Sequence, residues 1–166
     1  ALWNNLLFGV VAVTVLLWLT LGLRNALLAV MAIPFCYLTA IFLFPLLDLS
    51  LNSLSLAGMI LVSGMLVDDA IIVLENIHRH IEEGVPLHEA VLHGADEVKW
   101  PVIASISTTI AAFSPLLLIS GVSGEFMSIL PKTVIVCLIA SLIECLFALP
   151  AHYIEWGAWG NHPSAR

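Results

Sequence analysis

Two adjacent aspartates, Asp68 and Asp69, stand near the end of an apolar run that reads Leu54-Ser-Leu-Ala-Gly-Met-Ile-Leu-Val-Ser-Gly-Met-Leu-Val-Asp-Asp-Ala-Ile-Ile-Val-Leu74. As a helix, that run is long enough to cross a bilayer. A carboxylate at membrane depth costs at least ~2.5 kcal/mol, so intramembrane acids face a protein interior or a water-filled cavity and serve ion or substrate movement. Two carboxyls held together out of water exchange protons as one coupled unit. The chemistry on offer is therefore proton binding and release. A buried Lys or Arg beside the pair would hold it ionised until a proton arrives and make the site switchable. No such cation is evident, because Arg24, Arg79 and Lys99 belong to one end of the apolar segments and Lys132 to the other.

Adjacent helical side chains point ~100° apart, so Asp68 and Asp69 share a depth without sharing a face. Helical steps back from Asp68 meet Gly64, Leu61, Ala57 and Ser53, and steps forward meet Ile72 and Glu75. Apart from Leu61 and Ile72 this stripe is small and polar, which suits close approach of another helix. Both aspartates are therefore expected to face a packed bundle centre. A later apolar stretch carries Ser105, Ser107, Thr108, Thr109 and Ser114, with Ser105, Thr108, Thr109 and Ala112 on one stripe. Such hydroxyls can relay protons through water, although more often they bond their own helix or a neighbour.

The elements that must position these groups are membrane helices. The chain is 61% hydrophobic and 10% charged, with a mean hydropathy of +1.08, whereas about a quarter of the residues of a soluble domain are charged. Five apolar stretches, 6–23, 26–47, 54–74, 101–120 and 126–150, each approach or exceed the ~20 residues a spanning helix needs. The first lacks a basic leading region and runs at once into another span, which argues against a cleaved targeting peptide. A chain that starts at Ala1 and enters the membrane within a few residues is expected to be a piece of a longer polypeptide. Pro34, Pro45, Pro115 and Pro131 lie inside spans, where ordinary bundle geometry accounts for them. Cys36, Cys137 and Cys145 form no C-x-x-C pair and read as lipid-facing or packed small hydrophobes. No soluble domain or repeat is visible, and the net charge of −7 is local to the connecting segments.

Basic residues orient the spans. Arg24, Arg79, Lys99 and Arg166 fall on alternate connections, which places segment 75–99 in the cytoplasm and the N-terminus outside. Lys132, the misfit, lies close enough to the outer surface to snorkel. Within 75–99 the third span continues as a charged helix to Glu83. Gly84 then stops it, and Pro86 opens another. In this second helix Leu87, Val91, Ala95 and Val98 make an apolar stripe against His88, Glu89, His93 and Asp96, which predicts a cytoplasmic amphipathic helix lying along the membrane surface.

The string Gly64-Met-Leu-Val-Asp-Asp-Ala-Ile-Ile-Val-Leu-Glu-Asn76, with Arg79 and Glu82-Glu83-Gly84 after it, resembles the fourth transmembrane helix of resistance-nodulation-cell division (RND) efflux transporters. The surrounding order is similar too: Leu21-Gly-Leu-Arg-Asn25, Ile33-Pro34, Leu49-Ser-Leu-Asn-Ser-Leu-Ser-Leu56 and Ser120-Gly-Val-Ser-Gly124. The resemblance covers nearly the whole chain, as helices two to six of the N-terminal half.

It implies an all-α membrane protein in which residues 1–166 are a partial transmembrane domain of a twelve-helix, two-repeat transporter. The fully assembled protein would be a proton antiporter rather than an enzyme, in the inner membrane of a Gram-negative bacterium. It would be a homotrimer with large periplasmic domains, working with a periplasmic adaptor and an outer-membrane channel, and it would not bind nucleic acid. The resemblance assigns proton translocation to Asp68 and Asp69, with their cationic partner supplied by the remaining half, and it calls for no cofactor or resident metal. The doubled aspartate is similar to members that export hydrophobic and amphiphilic compounds, whereas heavy-metal exporters tend to keep one aspartate there. Two other readings compete. His78, His80, Glu82, Glu83, His88 and His93 crowd one segment and carry metal-ligand chemistry, although a solvated surface explains them without a metal. A structural or sensor membrane module with a related helical repeat is the other.

Overall fold

A computed structural model describes residues 2–157, with side-chain surroundings left out for most of residues 2–24 and for 122–123. The described residues are helical apart from short connections. Helix α1 (Leu2–Leu43) is two helices that meet at Gly22, whose φ of 83° and ψ of 158° are not helical. A residue with a Cβ is strained at that φ. The expected first span, 6–23, thus has a helical backbone, but most of its side chains lie outside the described residues, as does the whole of Arg166. Among the described residues four helical segments are long and apolar enough to cross a membrane: Asn25–Leu47, Ser53–Glu82, Leu87–Leu118 and Gly124–Trp156.

The second half of α1 ends in a 3-10 turn, Phe44–Leu47, with Pro45 at its start. Asn52 then opens α2 (Ser53–Glu82): its Oδ1 accepts from the backbone N–H groups of Leu54 and Ser55, both at 2.9 Å, and Ser55 Oγ accepts from the Asn52 N–H at 2.8 Å. This reciprocal cap satisfies donors that the first helical turn cannot. The other end of α2 closes where Gly84 takes φ 88°. The Gly84 N–H donates to the Ile81 carbonyl at 3.0 Å and the Val85 N–H to that of His80 at 3.1 Å, which is the hydrogen-bond pattern of a glycine-terminated helix.

Helix α3 (Leu87–Phe113) is one continuous helix that passes through Pro101, followed by a 3-10 turn at Ser114–Leu118 that holds Pro115. The expected surface helix is therefore not a separate element. Ala90, Val91 and Gly94 are buried, and the Gly94 backbone lies so close to Ile77 that a Cβ there would sit 2.8 Å from the Ile77 Cα. The apolar stripe of this segment docks on the far end of α2 instead of on lipid. The two helices project together as one hairpin.

A short α4 (Val122–Met127) leads into α5 (Ile129–Ile143), a π-helical turn at Glu144–Ala148, and α6 (Leu149–Gly157). In the π turn the Leu149 N–H bonds the Glu144 carbonyl, five residues back. Pro150 follows; its ring clashes with the carbonyl four residues earlier and it has no N–H to give, which favours the wider turn. Helix α2 packs against α1, α3 and α5, and α5 touches α1 and α3 as well, so the core is built around the α2–α5 contact. Val62, Leu66, Val73 and Leu74 of α2 and Val134, Cys137 and Leu138 of α5 are all buried.

Candidate functional site

The two aspartates part company. Asp69 is 5% exposed, on the face of α2 that carries Val62, Leu66 and Val73, whereas Asp68 is exposed. This corrects the expectation that both face the packed centre. The whole stripe of Asp68, namely Ser53, Ala57, Leu61, Gly64, Ile72 and Glu75, is exposed as well. Its small residues do suit a neighbouring helix, but α1, α3 and α5 occupy the other faces of α2.

Asp69 meets α5 through Ser141, a buried hydroxyl whose Oγ donates to Asp69 Oδ2 at 3.5 Å. Toward α3, Asp68 and Asp69 open on a cavity of about 110 Å³ that Ser105 and Thr109 also border, closed by Met65, Ile106 and Leu138. Thr109 Oγ1 donates to the Ser105 carbonyl at 3.1 Å and Thr108 Oγ1 to that of Ala104 at 2.8 Å. Thr108 and Thr109 therefore give their hydroxyl protons to their own helix, and Ser105 and Thr109 both border the cavity. Space on this scale takes several waters, since a single water needs roughly 10–15 Å³ measured this way. Among the described residues no ion pair involves either aspartate. Lys132 is exposed, and the Arg24 side chain lies outside the described residues.

Two contacts fix the bundle around this site. Tyr37 donates its hydroxyl to the Met59 carbonyl, tying α1 to α2. The Cys36 thiol donates to the Cys137 carbonyl at 3.2 Å, tying α1 to α5. All three cysteines are buried and unbridged; none faces lipid.

The polar ends of α2 and α3 are held by a network centred on Glu97. Asn76 Nδ2 donates to the Gly94 carbonyl at 2.8 Å and to Glu97 Oε2 at 3.0 Å. Arg79 Nη2 reaches Asn76 Oδ1 at 2.8 Å and Glu97 Oε2 at 2.9 Å, and His80 Nε2 lies 3.2 Å from the same oxygen. Hydrogen bonds from Asn76 and then His80 hold the Glu97 carboxyl below the usual range. His78 pairs with Glu82 at 3.4 Å. Among the described residues no three His, Cys, Asp or Glu side chains come together in a way that could hold a metal; His78 and His80 of this segment pair with Glu82, Glu83 and Glu97.

The sequence reading passed over Ser141 and Glu144. Glu144 is a buried carboxylate in the last span, 7% exposed. The cost argument that singled out Asp68 and Asp69 applies equally to a lone acid in so apolar a stretch. Ser141 carried no such signal, since only the packing of α5 on α2 gives it a partner.

The family model described as "AcrB/AcrD/AcrF family" matches residues 2–153, and so takes in both aspartates, Ser141 and Glu144. The chain belongs to the AcrB/AcrD/AcrF family. Within this RND family it is similar to "Multidrug resistance protein MdtC" from several bacteria. It is 37% identical to that of Salmonella arizonae over 142 residues, 86% of this chain and 14% of the relative. It is 36% identical to that of Escherichia coli O139:H28 over the same length and shares. The identity to that of Photorhabdus laumondii is 38% over 138 residues, 81% of this chain and 13% of the relative. The chain thus spans about one seventh of the length of these AcrB/AcrD/AcrF family relatives.

Proposed function

We propose that this chain is part of the transmembrane region of a proton-driven efflux pump for hydrophobic or amphiphilic compounds, with Asp68 and Asp69 as its proton-translocation site. The observation that carries the reading is the division of labour in the acid pair. Asp69 is anchored in the core beside Ser141, Asp68 lies on an exposed small-residue stripe, and both border a hydroxyl-lined cavity.

A proton entering through the cavity neutralises Asp69, the buried member of the pair, and removes the main cost of burying it. Its departure restores that cost. A helix packed on the Asp68 stripe feels this difference directly, and if it carries a cation it is held by the fully ionised pair and held less once one carboxyl is protonated. Such a switch supplies two states whose balance the proton sets. The remaining half of the transporter is the natural source of that helix, because its docking would cover the face of α2 that this chain leaves open.

In this reading the hairpin of 75–99 lies in the cytoplasm, the protein sits in the inner membrane of a Gram-negative bacterium, and the substrate pocket belongs to parts of the polypeptide beyond these residues. The assembled pump is a homotrimer that hands its substrate to a periplasmic adaptor and an outer-membrane channel. The similarity to proteins named for multidrug resistance supports export of drugs rather than metal ions. The test is Asp68→Asn and Asp69→Asn, each in the full-length protein. Asparagine keeps the shape and hydrogen-bonding capacity of aspartate but cannot titrate. Each variant should insert normally and lose proton-coupled efflux, and normal export by either would remove that residue from the site.

A further inference from the structure

Glu144 is a carboxyl that the membrane-spanning part of this chain buries away from the acid pair. It is 7% exposed, and the nearby Ser141 hydroxyl is taken up by Asp69 and Cys145. Among the described residues no side chain donates a hydrogen bond to Glu144 and no ion pair involves it. A carboxylate so placed is costly until a cation or a proton meets it. It does not face solid packing. Glu144 lines a cavity of about 30 Å³ between α1 and the last span, together with Leu28, Met31, Phe35, His152 and Trp156.

Both walls of this cavity are helical stripes. Leu28, Met31 and Phe35 recur at i, i+3 and i+7 on α1. On the other wall the π turn carries the chain from Glu144 to Leu149, whose N–H bonds the Glu144 carbonyl, so Leu149, His152 and Trp156 continue the face that Glu144 begins. Leu28 and Leu149 are buried at the floor, whereas Met31, Phe35 and Trp156 are exposed at the rim. Phe35, His152 and Trp156 form a row of rings, with centroids 5.1 and 6.5 Å apart and planes tilted by 32° and 43°.

The chemistry of this lining selects its ligand. A space that takes one or two waters also takes an ammonium head of similar size. The carboxylate supplies the opposite charge, ring faces attract cations, and the apolar rim accepts a hydrocarbon chain. No Lys or Arg lines the cavity, so the phosphate of a zwitterionic headgroup would find no counter-charge beside the ammonium site. A neutral His152 imidazole adds a hydrogen-bond acceptor for the ammonium protons.

We propose that the groove between α1 and the last span binds a single-chain amphiphile with a primary ammonium head, the head against Glu144 and the chain along Met31, Phe35 and Trp156. In the orientation drawn from the basic residues it opens on the cytoplasmic leaflet, since Leu28 stands about one helical turn beyond Arg24. The site is separate from the acid pair, and its occupation moves no proton.

The experiment photolyses the full-length transporter, in nanodiscs of phosphatidylcholine, with a dodecylammonium that carries a diazirine beside its head, and locates the adducts by mass spectrometry. Label should fall on segments 28–35 and 144–156 and be displaced by excess dodecylammonium but not by dodecanol, which has the same chain without the charge. Glu144→Gln should lower this labelling about 10-fold, the scale of a hydrogen bond to a charged group. Phe35→Leu and Trp156→Leu, at exposed positions, should each lower it about 3-fold through the loss of a ring face. Wild-type labelling in Glu144→Gln, or displacement by dodecanol as effective as by dodecylammonium, overturns the proposal. If Glu144→Gln fails to insert, the ring variants decide, and wild-type labelling in both overturns it equally. Labelling abolished in nanodiscs of phosphatidylethanolamine would give the groove to the headgroup of the lipid itself and overturn the assignment to a single-chain ligand. Binding is read without transport, so this result and the test of the acid pair are independent.

Discussion

Ser141 on α5 donates its hydroxyl to Asp69 on α2 across 72 positions of sequence, at 3.5 Å and with both residues buried. The contact crosses the middle of the α2–α5 packing, so the same side chain that steadies the carboxylate also registers the two helices. A side chain with both duties is expected to show both when removed. Ser141→Ala should lower the thermal stability of the purified protein by about 1 kcal/mol, the usual scale of a membrane hydrogen bond, and should shift the pH dependence of efflux in the full-length protein. Loss of stability with an unchanged pH profile would leave Ser141 a structural residue only.

Gly94 and Gly64 offer a matched pair. A Cβ at Gly94 meets the Ile77 backbone at 2.8 Å, whereas one at Gly64 meets nothing within 4 Å. Gly94→Val should destabilise the hairpin by about 1–3 kcal/mol, the range for overpacking a tight contact, seen as a lower unfolding midpoint in detergent. Gly64→Leu should leave this chain folded and yet impair efflux by the full-length protein, because the proposed neighbour needs close approach there. Full activity of Gly64→Leu would place that neighbour elsewhere.

The Glu97 network gives the hairpin a dependence on acid. The Glu97 carboxyl titrates lower in the folded chain than its ordinary 4.5, chiefly through the Asn76 hydrogen bond and then that of His80. A depressed carboxyl stabilises the fold above its unfolded pKa, and that contribution is lost as the pH falls through the folded value. The unfolding midpoint should therefore fall on acidification below about 4.5, and Asn76→Ala should flatten that decline. The same slope in Asn76→Ala and wild type would count against the network.

Topology is open to direct labelling. Leu51 and His88 are both exposed, and the native cysteines are buried. In the full-length protein Leu51→Cys should react with an impermeant thiol reagent from outside only, and His88→Cys from the cytoplasm only. The reverse pattern would invert the orientation drawn from the basic residues.

What could be read in advance follows from what each signal measures. Composition and apolar length report the solvent a helix meets, so an all-helical chain with membrane-length segments was legible, as was the end of α2 at Gly84, where a local backbone rule suffices. Amphipathic stripes report that a contact exists and not with what. The stripe from Leu87 to Val98 was therefore assigned to lipid when it docks on α2, and the stripe of Asp68 was assigned to the bundle centre when the chain leaves it uncovered. Pro101 gave no break because neighbouring packing carries a helix through a single missing bond. Ser141 and the cavity beside Thr109 depend on how three helices meet, which no local pattern encodes.

The π turn at Glu144–Ala148 has a genetic consequence. Each turn of this kind takes in one residue more than an α-helical turn, so everything after it is rotated by about 100° relative to an uninterrupted helix. It is this phase offset that brings His152 and Trp156 round to Phe35 and α1. Deleting Phe147, an exposed side chain with little packing to lose, would therefore remove the surplus residue and close the turn as ordinary α-helix. The final two turns would keep their face toward α1, with His152 still against Phe35, so the last span tolerates here the loss of a residue that would turn a regular helix by about 100°.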